Sequence, residues 1–197
     1  IMTRFCYGLS TGELAAFLKV KNSYQVDLKI AMSSHVLFDH AERWIPSSPG
    51  IPELTTARIY PGLVFFEALP MIDYGRGTEH IFQRFGAPDL PVAELCETLP
   101  ESFPEYRFEP IEYIARHGEL DQCACKGVHI TIPVPHVVLH PAALAVHITY
   151  VLQRYYGSAL WSYSGSRPAF FDKLWGTGII RERLMQGDQP QAICRDF

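Results

Sequence analysis

At 197 residues and 48% hydrophobic content, with a mean hydropathy of +0.02, the chain is long enough to bury one well-packed core and short for two. A formal net charge of -4 with scattered Lys and Arg speaks against nucleic acid or an anionic membrane as partner. No apolar run approaches the roughly 20 residues of a membrane span, no basic-then-apolar leader opens the chain, and five irregularly spaced cysteines make no disulfide framework.

In chain order, helix and strand signals alternate. Ser10-Thr11-Gly12-Glu13 is a capping box ahead of Leu14, Phe17 and Leu18, which predicts a helix over about 11–20. Val26 to Met32 and Leu63 to Ala68 read as strands, the second almost continuously apolar and so suited to burial on both faces. Pro91 opens a helix with Val92, Leu95 and Leu99 on one face, and Pro100 stops it. Tyr106 to Ile111 and Val128 to Ile132 alternate at period two and read as strands. The clearest helix starts near Pro141 and runs through Leu144, Ile148, Val151, Leu152 and Tyr155 to a C-cap at Gly157. Short helices at 168–175 and 178–186 end at Gly176 and Gly187, and Asp188-Gln189-Pro190-Gln191 caps a last helix that begins just as the chain stops. The expected architecture is a single α+β domain with a mixed sheet flanked by helices. Its end is expected to fall inside an element that a longer protein continues.

Between Trp44 and Pro88 the chain alternates rigid turns with polar groups, as at the rim of a cleft: Trp44 to Pro52, Tyr60-Pro61-Gly62, Gly75-Arg76-Gly77-Thr78 and Phe85-Gly86-Ala87-Pro88. Gly75 and Gly77 flank Arg76 with residues free to adopt positive φ, so backbone can approach a ligand while the guanidinium meets a carboxylate or hydroxyls; a tight turn whose Arg anchors a carbonyl or Asp73 fits equally. The pattern lacks the glycine spacing and Lys-Ser/Thr ending of a phosphate-binding loop. Glu67, expected at a strand end, and Asp73 form a carboxylate pair of the kind glycosidases use, although such residues more often pair with Arg or cap turns. Trp44 and Tyr60 are suited either to stacking on a sugar or to holding the proline-rich loop on the core. Ser47 and Ser48 either donate to a sugar hydroxyl or set turns. Cys123, Cys125 and His129 have the wrong spacing for a zinc knuckle, His136, His140 and His147 are dispersed, and Ser162-Tyr163-Ser164-Gly165-Ser166 is no nucleophile elbow. No metal or cofactor is expected.

The order and spacing of these landmarks resemble the C-terminal half of the bacterial peptidoglycan exo-β-N-acetylmuramidases, long known only as a domain of unknown function. Arg4 to Leu14, Cys125-Lys126-Gly127-Val128 and Phe171-Asp172-Lys173-Leu174-Trp175-Gly176-Thr177 extend the resemblance over nearly the whole chain. It implies a two-domain glycosidase whose Rossmann-like first domain carries a catalytic glutamate in Glu-His-Gly, the second domain closing the sugar cleft. This chain contains no Glu-His-Gly, so it reads as the second domain, inactive alone and carrying no catalytic residue of its own. The resemblance implies that Arg76, Thr78, Glu67, Trp44, Tyr60, Gly75, Gly77 and Asp73 form the substrate-binding set, with Arg76 suited to the lactyl carboxylate of N-acetylmuramic acid. It also implies cell-wall fragments as substrate, the absent first domain as partner and an extracytoplasmic setting. The family usually has Thr-Asn and a Ser ahead of its glycine-arginine motif, where this chain has the longer and more apolar Leu69-Pro70-Met71-Ile72-Asp73-Tyr74. A carbohydrate-binding or interaction module that kept the fold and lost the chemistry is the alternative.

Overall fold

The computed structural model describes residues 10–31, 45–46, 48–134 and 137–196. The chain divides into two units, residues 1–44 and 45–197. In the first, α1 (Thr11–Lys21) starts as its sequence dictates: Ser10 Oγ accepts from the Glu13 amide at 3.2 Å while the Glu13 carboxylate accepts from the Ser10 amide at 2.7 Å. The expected strand at Val26 to Met32 does not form over residues 26–31, where Val26 and Ile30 are exposed; Met32 lies outside the described residues. Alternation makes a segment fit for a sheet, but a strand needs a neighbour to complete its ladder.

The second unit runs α2 (Leu54–Leu63), a 3-10 helix (Val64–Ala68), β1 (Arg84–Ala87), α3 (Val92–Ser102), β2 (Arg107–Ile114), β3 (Ala124–Thr131), α4 (Pro141–Tyr156), α5 (Ala159–Ser162), α6 (Pro168–Trp175), α7 (Ile179–Gln186) and α8 (Pro190–Arg195). The α+β class holds. The sheet has the order β1-β3-β2 with both pairings antiparallel, where a mixed sheet was expected. Leu63 to Ala68 is also not a strand: it finishes α2 and forms the 3-10 helix, with Val64, Phe65 and Phe66 all buried. A segment enclosed on every side shows no period, so its sequence does not distinguish strand from helix. Tyr60-Pro61-Gly62, expected as a turn, lies inside α2, where a Cβ on Gly62 would come within 3.3 Å of the Pro141 carbonyl and so bare backbone lets α2 meet α4. Phe85-Gly86-Ala87, also expected in a turn, is β1. Pro100 does not stop α3, which closes two residues later at Ser102.

The hub of the core is α4, which touches α2, α3, α5, α7 and α8. Its stripe of Leu144, Ile148 and Leu152 is fully buried, each such side chain contributing roughly 1.5–3 kcal/mol. Pro141 at its first turn and Gly157 at its C-cap with φ 58° set its ends as expected. Below it, Phe65 stacks on Trp175 at 4.2 Å and Phe171 fills the angle against Trp161. Arg181 forks onto Asp172 at 2.8 and 2.7 Å, and Arg183 onto Asp188 and Asp196, fastening α6, α7 and α8. Gln189, not Asp188, is the N-cap of α8; Asp188 is taken by Arg183.

One face of the sheet carries Phe85, Phe108, Val128 and Ile130 into the core. The other is cut by a slot. Gly86 pairs with Gly127 across β1 and β3, and Tyr113 of β2 lies over both: a Cβ on Gly127 would meet Tyr113 Cε1 at 2.8 Å and the Phe85 carbonyl at 2.6 Å, and one on Gly86 would meet the Tyr113 hydroxyl at 2.7 Å. The Arg84 guanidinium covers the ring at 4.1 Å. Filling the slot should therefore expel the ring: Gly127→Ala is expected to lose about 1–3 kcal/mol in urea denaturation, and an unchanged midpoint would contradict this packing.

Two histidines make stability depend on pH. His147 has Nδ1 at 2.9 Å from the Ala143 carbonyl and its ring edge-on to Phe103 at 4.8 Å, and burial holds its proton affinity below the ordinary value of 6.5. His129 is lowered by burial and by neighbouring His80. Near pH 6.5 the unfolded chain binds more protons at both sites, so their contribution is complete above that value and is lost as pH falls below it. Tm is expected to fall over roughly pH 7 to 5, and His147→Gln to flatten part of that slope; identical slopes would contradict the assignment.

Candidate functional site

Asp73 anchors the site from behind. Its amide donates to the Gly86 carbonyl at 2.7 Å and its carbonyl accepts from the Gly86 amide at 2.9 Å, tying the loop to β1. Its carboxylate is buried, and one oxygen, Oδ2, accepts from both the Gly75 amide at 2.8 Å and the Tyr113 hydroxyl at 2.7 Å. Burial, followed by the Asp73 charge, pushes the Tyr113 hydroxyl far above its usual range, so it remains a donor. The same surroundings push the Cys125 thiol up to about 11, leaving it an inert packing group.

The turn itself is closed by short bonds. Thr78 donates from its amide and its hydroxyl to the Gly75 carbonyl at 3.2 and 2.6 Å, and its hydroxyl accepts from the His80 amide at 3.2 Å. Gly75 and Gly77 have φ of 76° and 78°, and a Cβ at either would lie within 2.5 Å of the His80 carbonyl or 2.8 Å of the Arg116 carbonyl. Both glycines are thus required by conformation and by space.

Arg76 projects outward from this turn. It is exposed, makes no ion pair among the described residues, and donates from Nη1 to the Tyr74 hydroxyl at 3.3 Å. Two depressions meet at Glu67, Tyr74 and Arg76. One, of about 310 Å³, is walled by Tyr60, Phe82, Ile81 and Ile51. The other, of about 200 Å³, is walled by Pro70, Asp73, His117, Glu119 and Arg167. In the first wall Phe82 receives the edge of Tyr60 at 4.8 Å and stacks on Tyr74 at 4.9 Å. Phe82 holds φ 55°, a conformation bulky residues rarely adopt, and its amide is tied to the Tyr74 carbonyl at 2.8 Å. In the second wall Arg167 donates to the Glu67 carbonyl and stacks on Phe170 at 4.5 Å. The Tyr60 hydroxyl is pushed up by burial and then by the Glu67 charge.

Of the residues singled out from sequence, Arg76, Glu67 and Tyr60 meet at one cleft. Asp73, Gly75, Gly77 and Thr78 build the turn beneath it; Asp73 contacts Gly75 and Tyr113, not Arg76. Trp44 and Ser47 lie outside the described residues. Glu67 stands in the 3-10 helix, not at a strand end, and the Arg76 turn leads into β1. The apolar segment ahead of the motif turns inward: Leu69 and Ile72 are buried, and Tyr74 presents its hydroxyl to Arg76. Tyr74, Arg167, His117 and Glu119 were not singled out. Tyr74 adjoins the glycine-arginine turn and was legible there as a polar ring; Arg167 reaches Glu67 across a separation of 100 residues, which no local pattern signals. Among the described residues no group of three His, Cys, Asp or Glu is placed to hold a metal, and no helix is long and apolar enough to cross a membrane.

Peptidoglycan β-N-acetylmuramidase NamZ of Bacillus subtilis (strain 168) is 24% identical over 197 residues, 97% of this chain and 46% of that protein. A jasmonoyl–L-amino acid synthetase, JAR4, of Nicotiana attenuata is 32% identical over 106 residues, 51% of this chain but 17% of that enzyme. The crystal structure of a DUF1343 family protein from Bacteroides fragilis NCTC 9343 shares the fold with a TM-score of 0.76 at 22% identity, covering 93% of this chain and 50% of that one. The chain thus spans about half the length of NamZ and of the solved DUF1343 protein. The family model described as exo-β-N-acetylmuramidase NamZ, C-terminal, matches residues 58–197, from within α2 onward, and the chain belongs to that family.

Proposed function

We propose that this chain is the substrate-side domain of a two-domain peptidoglycan-degrading glycosidase that releases N-acetylmuramic acid from the non-reducing ends of cell-wall fragments. In this reading Arg76 receives the lactyl carboxylate, Tyr60 and Tyr74 offer ring surface to the sugar, and Glu67 accepts from its hydroxyls. The reacting acid belongs to a Rossmann-like first domain, and the substrate favours a periplasmic or secreted setting.

The observation that carries the proposal is the open guanidinium. Arg181 and Arg183 spend their donors on carboxylates, whereas Arg76, at the meeting point of both depressions and within the field of Glu67, makes one hydrogen bond among the described residues, to a phenol, for its five donors. Family membership supports a peptidoglycan-derived substrate. The alternative, a binding module that lost its chemistry, leaned on the apolar segment Leu69 to Tyr74; Leu69 and Ile72 are absorbed by the core and leave the polar groups of the cleft in place.

In the complete protein, Arg76→Ala is expected to weaken N-acetylmuramic acid by about 1.5–3 kcal/mol, one to two orders of magnitude in Kd. N-acetylglucosamine, which lacks the carboxylate, should be little affected. Arg76→Lys should recover part of the loss, since an ammonium keeps the charge without the planar fork. Calorimetric titration with both sugars checks this; equal losses for the two, accompanied by a large drop in Tm, would contradict it.

A further inference from the structure

We propose that Tyr113 is a positioning residue for the Arg76 turn, acting through Asp73; the functional half of this inference rests on the role given to Arg76 above. The chain of contact is short and specific. The Tyr113 hydroxyl donates to Asp73 Oδ2 at 2.7 Å, and the same oxygen accepts from the amide of Gly75, the residue immediately before Arg76, at 2.8 Å. Each donor fixes where that oxygen sits, so the hydroxyl on β2 sets the direction in which the Gly75 peptide points.

Three features show that this hydroxyl is held in place. The ring lies in the slot left by Gly86 and Gly127, where any Cβ would displace it. The Arg84 guanidinium covers its outer face at 4.1 Å, an arrangement kept although Arg84 Nε is buried without a hydrogen-bond partner among the described residues. Burial and the Asp73 charge keep the hydroxyl protonated across the physiological range. The sheet does not depend on this bond. Asp73 remains tied to Gly86 by two backbone hydrogen bonds, and β2 remains laddered to β3, without the hydroxyl. Removing the hydroxyl should therefore loosen the turn and leave the fold standing, which is what separates positioning from support.

The test uses Tyr113→Phe in the complete protein, which keeps the ring in its slot. Hydrogen exchange at the Gly75 amide should accelerate at least tenfold while the β3 amides keep their protection, an effect the size of one lost charge-assisted hydrogen bond. Affinity for N-acetylmuramic acid should fall about tenfold, and affinity for N-acetylglucosamine should hold. In an Arg76→Ala background the same substitution should have no further effect on muramic acid, because Tyr113 acts through Arg76. Unchanged Gly75 exchange, equal losses for both sugars, additivity with Arg76→Ala, or joint loss of protection at Gly75 and β3 would each overturn the proposal. If Arg76→Ala alone leaves muramic acid binding intact, the role of Arg76 fails, and the Gly75 exchange still decides whether Tyr113 positions the turn.

Discussion

The Asp73 carboxylate is the constraint on which the cleft depends. The residue is only 6% exposed, and a carboxylate largely withdrawn from water is stabilised by donors that replace it. Here the donors are a peptide amide from the Arg76 turn and a phenol from β2, converging on one oxygen. Because Asp73 is also bridged to Gly86 through its backbone, one residue joins sheet, turn and phenol. Each partner then imposes a demand of its own: glycine at 75 for φ, glycine at 86 and 127 for room, and an aromatic donor at 113.

Fixing the turn in this way leaves Arg76 free in the useful sense. Its backbone is held while its guanidinium remains exposed between two depressions that share Glu67, Tyr74 and Arg76. A group placed before the ligand arrives costs less ordering on binding than one recruited from a mobile loop. Phe82, at φ 55°, likewise has its backbone tied to Tyr74 while its ring meets both Tyr60 and Tyr74.

Helices with local punctuation were legible in the sequence. The capping box at Ser10, Pro141 and Gly157 around α4, and Gly176 and Gly187 closing α6 and α7 each satisfy orphan backbone groups within a few residues, so their effect is local. What failed to show was whatever depends on distant neighbours. Leu63 to Phe66 is apolar because helices close round it, and Gly86 reads as a turn until Gly127 and Tyr113 stand beside it. The same holds at the cleft: Arg76 and its glycines are contiguous and announce themselves, whereas Tyr113 meets Asp73 across 40 residues and Arg167 meets Glu67 across 100. The family landmarks at Gly75 to Thr78 and Phe171 to Thr177 are visible because each is a short contiguous run that includes a glycine at positive φ.

In the proposed reading a muramic sugar sits at the junction of the two depressions with its carboxylate on Arg76. A crystal structure of the complete protein with N-acetylmuramic acid tests it most directly. The lactyl carboxylate is expected within hydrogen-bond reach, about 2.7–2.9 Å, of the Arg76 guanidinium, with the sugar ring against Tyr60 or Tyr74. A well-ordered sugar bound elsewhere, with Arg76 still in solvent and bonded to Tyr74 alone, would contradict it.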